Sequence, residues 1–185
     1  MRPDSPLQAL TEEHRLLERV LRALETRALD TALPFPRQYL VQALDFLSTF
    51  VDRCHSIKEE ERLFPLLWER GVPLERGPLG LMMNEHEEGR QKIEAIRRQL
   101  AEPESLEAVA IIRSQITDYV SFMRRHIQRE EERIFNIARS LLGRHDMKRL
   151  EREFEEVERE QIGSAFHEQY LALARRLSGP VRGES

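Results

Sequence analysis

The chain has 185 residues, enough for one domain with a single well-formed core. Its net charge of -4 leaves no basic footprint for nucleic acid, and its single cysteine excludes an internal disulfide. Ala, Leu, Glu, Arg and Gln are abundant, aromatic residues are few, and β-branched runs of period two are missing, so an all-α protein is expected.

The predicted elements follow in chain order. Helix 1 should run from about Ser5 to Leu29, with Ser5-Pro6 as cap and first-turn pair and an inward stripe of Leu7, Leu10, His14, Leu17, Leu21 and Leu24. Helix 2 should span Arg37 to about Arg70, with Leu44, Leu47, Val51, His55 and Glu59 near one face and Pro65 kinking it or ending its regular part. A turn-rich loop from Gly71 to Pro78 follows. Helix 3, about Pro78 to Ala101, places Met82, His86, Gly89, Ile93 and Ile96 on one stripe. Helix 4 extends to about Leu142, with Ile112, Ile116, Tyr119, Met123, His126 and Glu130 inward and Gly143 as its C-terminal stop. A fifth helical region, about 145–177, is divided or bent at Gly163, and 178–185 should be a mobile tail. Short loops make sequential helices antiparallel, so the architecture expected is an up-down-up-down four-helix bundle over about 5–142 within one domain, 1–177. No apolar run reaches the length of a membrane span, and the N-terminus lacks the apolar core of a signal peptide; a cytoplasmic location is expected.

One pattern occurs twice. His55-Ser-Ile-Lys-Glu59-Glu-Glu-Arg-Leu-Phe64 is answered by His126-Ile-Gln-Arg-Glu130-Glu-Glu-Arg-Ile-Phe135. Each is preceded by a Glu-His pair, Glu13-His14 and Glu85-His86, 41 and 40 residues ahead of the second histidine. A step of four puts each His and Glu on one helix face, a turn apart. A lone His on an apolar stripe is more often a hydrogen-bonded core residue than a ligand. Four of them with two inward carboxylates, set out symmetrically, make an inventory for a two-metal site, because an ionised carboxylate in an apolar core is costly unless paired or metal-bound. Calcium and magnesium want oxygen donors, and structural zinc needs only four ligands. Four imidazoles and two carboxylates suit two iron ions, with manganese the alternative. The ferritin-like pattern runs Glu-x-x-His, the reverse order at a different spacing.

Other residues carry plainer readings. His145 and His167 lie outside the repeat and are expected at the surface. Glu60, Glu61, Glu131 and Glu132 read as solvent or rim charges, Cys54 and Tyr119 as core, and Met82-Met83 as gap-filling core.

Taken together, these segments make the chain resemble the hemerythrin-like family, the HHE cation-binding domains, over roughly residues 5–142. The resemblance implies a helical bundle enclosing a non-haem di-iron centre. In it His14, His55, His86 and His126 would be terminal ligands, and Glu59 and Glu130 would bridge the ions beside an oxo or hydroxo group. Oxygen-carrying members take a second His four residues after the first on the third helix, where this chain has Arg90, and an Asp five residues after the last His, where this chain has Glu130 at four. The pattern is closer to a four-His, two-Glu variant that resembles bacterial di-iron proteins linked to iron-sulfur cluster repair. Counting ligands on that scheme leaves one open position on each ion, which favours binding or reducing a small ligand (oxygen, nitric oxide or peroxide) over simple oxygen carriage. Arg90 is expected to reach Glu59 or Glu130, or to form a surface ion pair. The alternative is a non-catalytic iron or oxygen sensor, or an iron-handling protein, whose fifth helical region signals to a protein partner. On the first reading the partner is a redox protein. No nucleic acid or membrane partner is expected.

Overall fold

A computed structural model describes residues 5–162 and 164–179, with the side chains of 161–168 outside the description. The expected bend at Gly163, the tail over 180–185 and the surface placement of His167 therefore lie outside the described residues. The described chain forms six helices: α1 (Pro6–Leu29), α2 (37–69), α3 (Pro78–Ala101), α4 (106–141), α5 (144–162) and α6 (Ser164–Leu177).

The helix starts follow local chemistry. Ser5 accepts a hydrogen bond from the Gln8 amide at 3.2 Å, with Pro6 in the first turn, and Ser105 does the same for Ala108 at 3.1 Å at the head of α4. Gly71 and Gly77 both take positive φ (92° and 93°) in the connection before α3, a backbone region that favours glycine. Gly143 departs from expectation. It is extended rather than left-handed, and it starts α5, its amide donating to the Asp146 carboxylate at 3.2 Å.

Cross-helix contacts fix the directions. Arg27 lies over the Tyr39 ring while His55 bonds Glu13, so α1 and α2 are antiparallel. Arg97 bonds Ser48 while Glu60 bonds His86, and Lys92 bonds Asp118 while Glu85 bonds His126, which sets α3 against both α2 and α4. Arg113 reaches the Ala28 carbonyl while His14 meets Glu131, closing the square between α4 and α1. This is the expected up-down-up-down bundle.

The stripes of α1, α2 and α3 are buried as expected, and each fully buried Leu contributes roughly 1.5–3 kcal/mol. In α4 the stripe frays at its end, where Leu141 is exposed, and Met83 is exposed while only Met82 enters the core. The apolar interior forms two clusters. One holds Leu17, Leu21, Leu44, Phe50, Ile96 and Ile116, and α6 covers it with Tyr170, Ala174 and Leu177. The other holds Leu10, Phe64, Leu67, Leu79, Phe135 and Ile134, and α5 covers it with Leu150 and Phe154. A polar layer lies between the two.

Helices α2 and α4 contain wide turns with i→i+5 hydrogen bonds. One spans Glu59–Leu63, where the Phe64 amide donates to the Glu59 carbonyl. The other spans Glu130–Ile134, where Phe135 donates to Glu130. The first is followed by Pro65 in the first turn of the segment Phe64–Glu69, and α2 runs on to Glu69, close to the expected end at about Arg70. The second has no proline, so the wide turn belongs to the repeated motif and not to Pro65. A longer wide stretch, Leu47–His55, has no counterpart in α4, which is regular over Leu106–Arg129.

Candidate metal centre

The polar layer is built from one residue of α1, two of α2, one of α3 and two of α4. His14, His55, Glu59, His86, His126 and Glu130 are all buried. Potential donor atoms of His14, His55, Glu59 and Glu130 lie within 4.8 Å of one another. His86 and His126 join this group through the carboxylates. Glu59 presents Oε1 to His55 Nε2 at 3.2 Å and Oε2 to His86 Nε2 at 3.3 Å. Glu130 Oε2 lies 3.3 Å from His14 Nε2 and 3.9 Å from His126 Nε2. Each carboxylate thus spans one imidazole from the α1–α2 hairpin and one from the α3–α4 hairpin. The His14 and His55 rings meet edge to face at 4.7 Å, and the His86 and His126 rings do so at 4.9 Å.

The outer ring nitrogens obey the same twofold symmetry. His14 Nδ1 meets Glu131 at 2.9 Å, and its counterpart His86 Nδ1 meets Glu60 at 2.6 Å. His55 Nδ1 meets Glu13 at 2.9 Å, and His126 Nδ1 meets Glu85 at 2.9 Å. The two inner-facing glutamates are held in turn by cations, Lys58 on Glu13 and Arg129 on Glu85, each at 2.5 Å. The phenyl ring that ends each motif also crosses over, Phe135 stacking on His14 at 5.6 Å and Phe64 on His86 at 6.1 Å. A carboxylate on Nδ1 directs Nε2 inward and raises its basicity, the usual support for a metal-binding imidazole.

One reading from the sequence needs correction. Glu60 and Glu131 are not merely rim charges, since each fixes a histidine of the opposite hairpin. Of the two alternatives for Arg90 the ion pair is the one found: it reaches neither Glu59 nor Glu130, bonds Glu60 at 2.6 Å and pairs with Asp52 at 3.3 Å. Glu61, Glu132 and His145 are exposed and Cys54 and Tyr119 buried, as expected. Glu13, Glu85, Lys58 and Arg129 were not singled out for these roles. Their signal was the duplication itself: an acid directly before the first His of each half and a base directly before the Glu.

The symmetry ends at Lys58. Its ammonium is fully buried and bonds Glu158 at 2.7 Å as well as Glu13, with the Phe154 ring 5.8 Å away. Arg129 is partly exposed and has no such clasp among the described residues of α5.

The electrostatics show what the layer lacks. Burial works against charging His14 and His86, yet the carboxylates around them, Glu130 and Glu131 at His14 and Glu59 and Glu60 at His86, push both up to about 10. Burial, together with the nearby Glu130 charge, pushes the Glu59 carboxyl above the usual range. Burial acts the same way on Glu130, but His14, 3.3 Å away, and the other surrounding histidines hold it well below that range. Two like charges in one dry pocket cannot both ionise cheaply, so the pair splits. Both oxygens of Glu59, both of Glu130 and Nε2 of His86 are buried without a hydrogen-bond partner of good geometry. Unpaired buried carboxylate oxygens are costly. His14 Nε2 and His55 Nε2 stand 3.0 Å apart, close to the ~3 Å expected of neighbouring donors on one ion at metal–nitrogen distances of about 2.1 Å. The residues present fit cations held between the imidazoles and the two carboxylates.

A family model, the Hemerythrin HHE cation binding domain, matches residues 5–138 of the chain. No curated protein and no solved structure matches it.

Proposed function

The chain belongs to the hemerythrin HHE cation-binding family, and from that premise we propose that it holds two iron ions and binds or reduces a small ligand there. His14 and His55 would serve one ion and His86 and His126 the other, with Glu59 and Glu130 shared between them. One observation carries the reading: each buried carboxylate reaches an imidazole of both hairpins, and its oxygens have no other hydrogen-bond partner. Bound iron would supply the redox chemistry and the open coordination position for oxygen, nitric oxide or peroxide. The chain's own part is to orient the imidazoles through Glu13, Glu60, Glu85 and Glu131 and to keep water out with Phe64 and Phe135.

A sensing role has one observation in its favour. The Lys58 ammonium ties Glu13, and through it His55, to Glu158 on α5. A change at the ions could then loosen α5 for a signalling partner. Anaerobic titration of the iron-loaded protein with nitric oxide tests the main reading. A saturable change in the visible spectrum is expected; a spectrum indifferent to nitric oxide contradicts it.

A further inference from the structure

The repeat makes the two ends of the site equivalent in their histidines and carboxylates but not in what packs against them. Behind His86 and His126 lies a cavity of ≈ 10 Å³, about one water's worth of free volume. Val51, Gly89, Ile93, Tyr119 and Met123 line it, with Ser56 beside them. The spacing of the repeat pairs Gly89 with Leu17 (each three residues after its first His) and Ser56 with Ile127 (each one residue after its second His). Leu17 and Ile127 are both buried, so at the His14–His55 end these positions carry bulky apolar side chains. The wide turns over Leu47–His55, absent from α4, fall in the same wall.

The cavity has an outer neighbour. A surface cleft of ≈ 390 Å³ between α2 and α3 shares Asp52, Arg90 and Ile93 with it. The Arg90–Asp52 pair, 3.3 Å apart and with each side chain 32% exposed, stands where the two meet. The counterpart of Arg90 in the first half is Glu18, held 3.7 Å from Arg124, and the counterpart of Asp52 is Met123.

Resting on the di-iron reading, we propose that an uncharged diatomic gas enters through this cleft, passes the Arg90–Asp52 pair and docks at the His86–His126 end of the site. The outer cleft is lined mostly by charged and polar side chains, but the inner cavity beyond the pair exposes more apolar than polar surface, which suits oxygen or nitric oxide there better than a strongly hydrated ligand such as peroxide. The free volume, about one water's worth, leaves room for one small molecule at most. Ser56 Oγ is buried without a hydrogen-bond partner and offers a donor at the cavity wall. Arg90 closes the mouth while another of its contacts, Glu60, holds His86.

Two measurements test this. In the first, nitric oxide association with the iron-loaded full chain is followed by stopped flow. A Cβ on Gly89 would meet Phe122 and Met123 at ordinary contact distances (3.6 and 3.8 Å), so Gly89→Ala should be tolerated, and the longer Gly89→Leu should fill the cavity. Gly89→Leu and Ser56→Ile, which install the residues of the other half, should slow association by at least about tenfold, within the decades over which on-rates vary among variants of one site. Asp52→Ala, which removes Arg90's partner across the mouth and leaves it held only by Glu60 and Glu87, should speed it. Unchanged rates in all three would overturn the proposal. The second measurement does not depend on iron chemistry. The full chain with diamagnetic zinc is placed under oxygen pressure, and methyl relaxation is read by NMR. The Ile93 and Met123 methyls should relax faster and the Leu17 and Ile127 methyls should not, with the effect reduced in Gly89→Ala. Equal relaxation at both ends would overturn the proposal. If wild-type protein takes up no nitric oxide, the functional reading fails, and the relaxation result still decides the entry route.

Discussion

Each of the four imidazoles turns one nitrogen outward onto a carboxylate and the other inward, and that division of labour makes its own predictions. Glu13→Gln and Glu85→Gln should leave the fold intact but weaken metal binding by about 10–100-fold, because the imidazole loses the partner that orients and polarises it. Competition against a chromophoric chelator measures this, and unchanged affinity would count against the role given to these residues. A second expectation concerns protons. With His14 and His86 raised to about 10, both carry a proton at pH 8, and an ion must displace it. Affinity should therefore rise with pH up to about 10, and loading at pH 8 should release protons. Calorimetry in two buffers of different ionisation enthalpy reads the release; heats independent of the buffer would contradict it. The six inner residues were legible in the sequence because an apolar stripe exposes a His or Glu that does not belong to it. Glu60 and Glu131 were not, since an acid in a Glu-Glu-Glu run looks like part of a solvated face. Only the neighbouring helix turns it into a histidine's partner.

At the scale of elements, the wide turns at Glu59–Leu63 and Glu130–Ile134 start at the two shared carboxylates. Wide turns of this kind cluster at functional sites. Propensity and periodicity do not announce an extra residue in a turn, so α2 was read as a regular helix spoiled by Pro65. The bundle order was legible from loop lengths. The start of α5 at Arg144 falls one residue from the expected 145, but the role of Gly143 was not legible: it serves as the extended cap of the next helix and not as the stop of the last. Lys58 and Arg129 allow a paired test. They occupy equivalent positions, but Lys58 is fully buried between Glu13 and Glu158 whereas Arg129 is partly exposed. Lys58→Met should destabilise the protein by about 3–5 kcal/mol by stranding the buried Glu13 carboxylate. Arg129→Met should cost about 1 kcal/mol or less. Urea unfolding of both variants measures the difference, and equal losses would refute the burial argument.

On the scale of the whole molecule, a layer of imidazoles and carboxylates divides one core into two apolar clusters. Such a layer weakens the bundle unless something satisfies its donors, so metal should act as part of the fold. At an ion concentration a thousand times the dissociation constant, loading should add about 4 kcal/mol of stability. For a domain of this size that is on the order of 10 °C in melting temperature. No helix among the described residues is long and apolar enough to cross a membrane. The central claim is that the six residues hold two ions and not one. Elemental analysis of iron-replete protein beside its Glu59→Ala and Glu130→Ala variants puts that claim to the test. Two irons per chain in the wild type, and clear loss in both variants, is the expected result. One iron or none in the wild type, or full occupancy without either carboxylate, would contradict it.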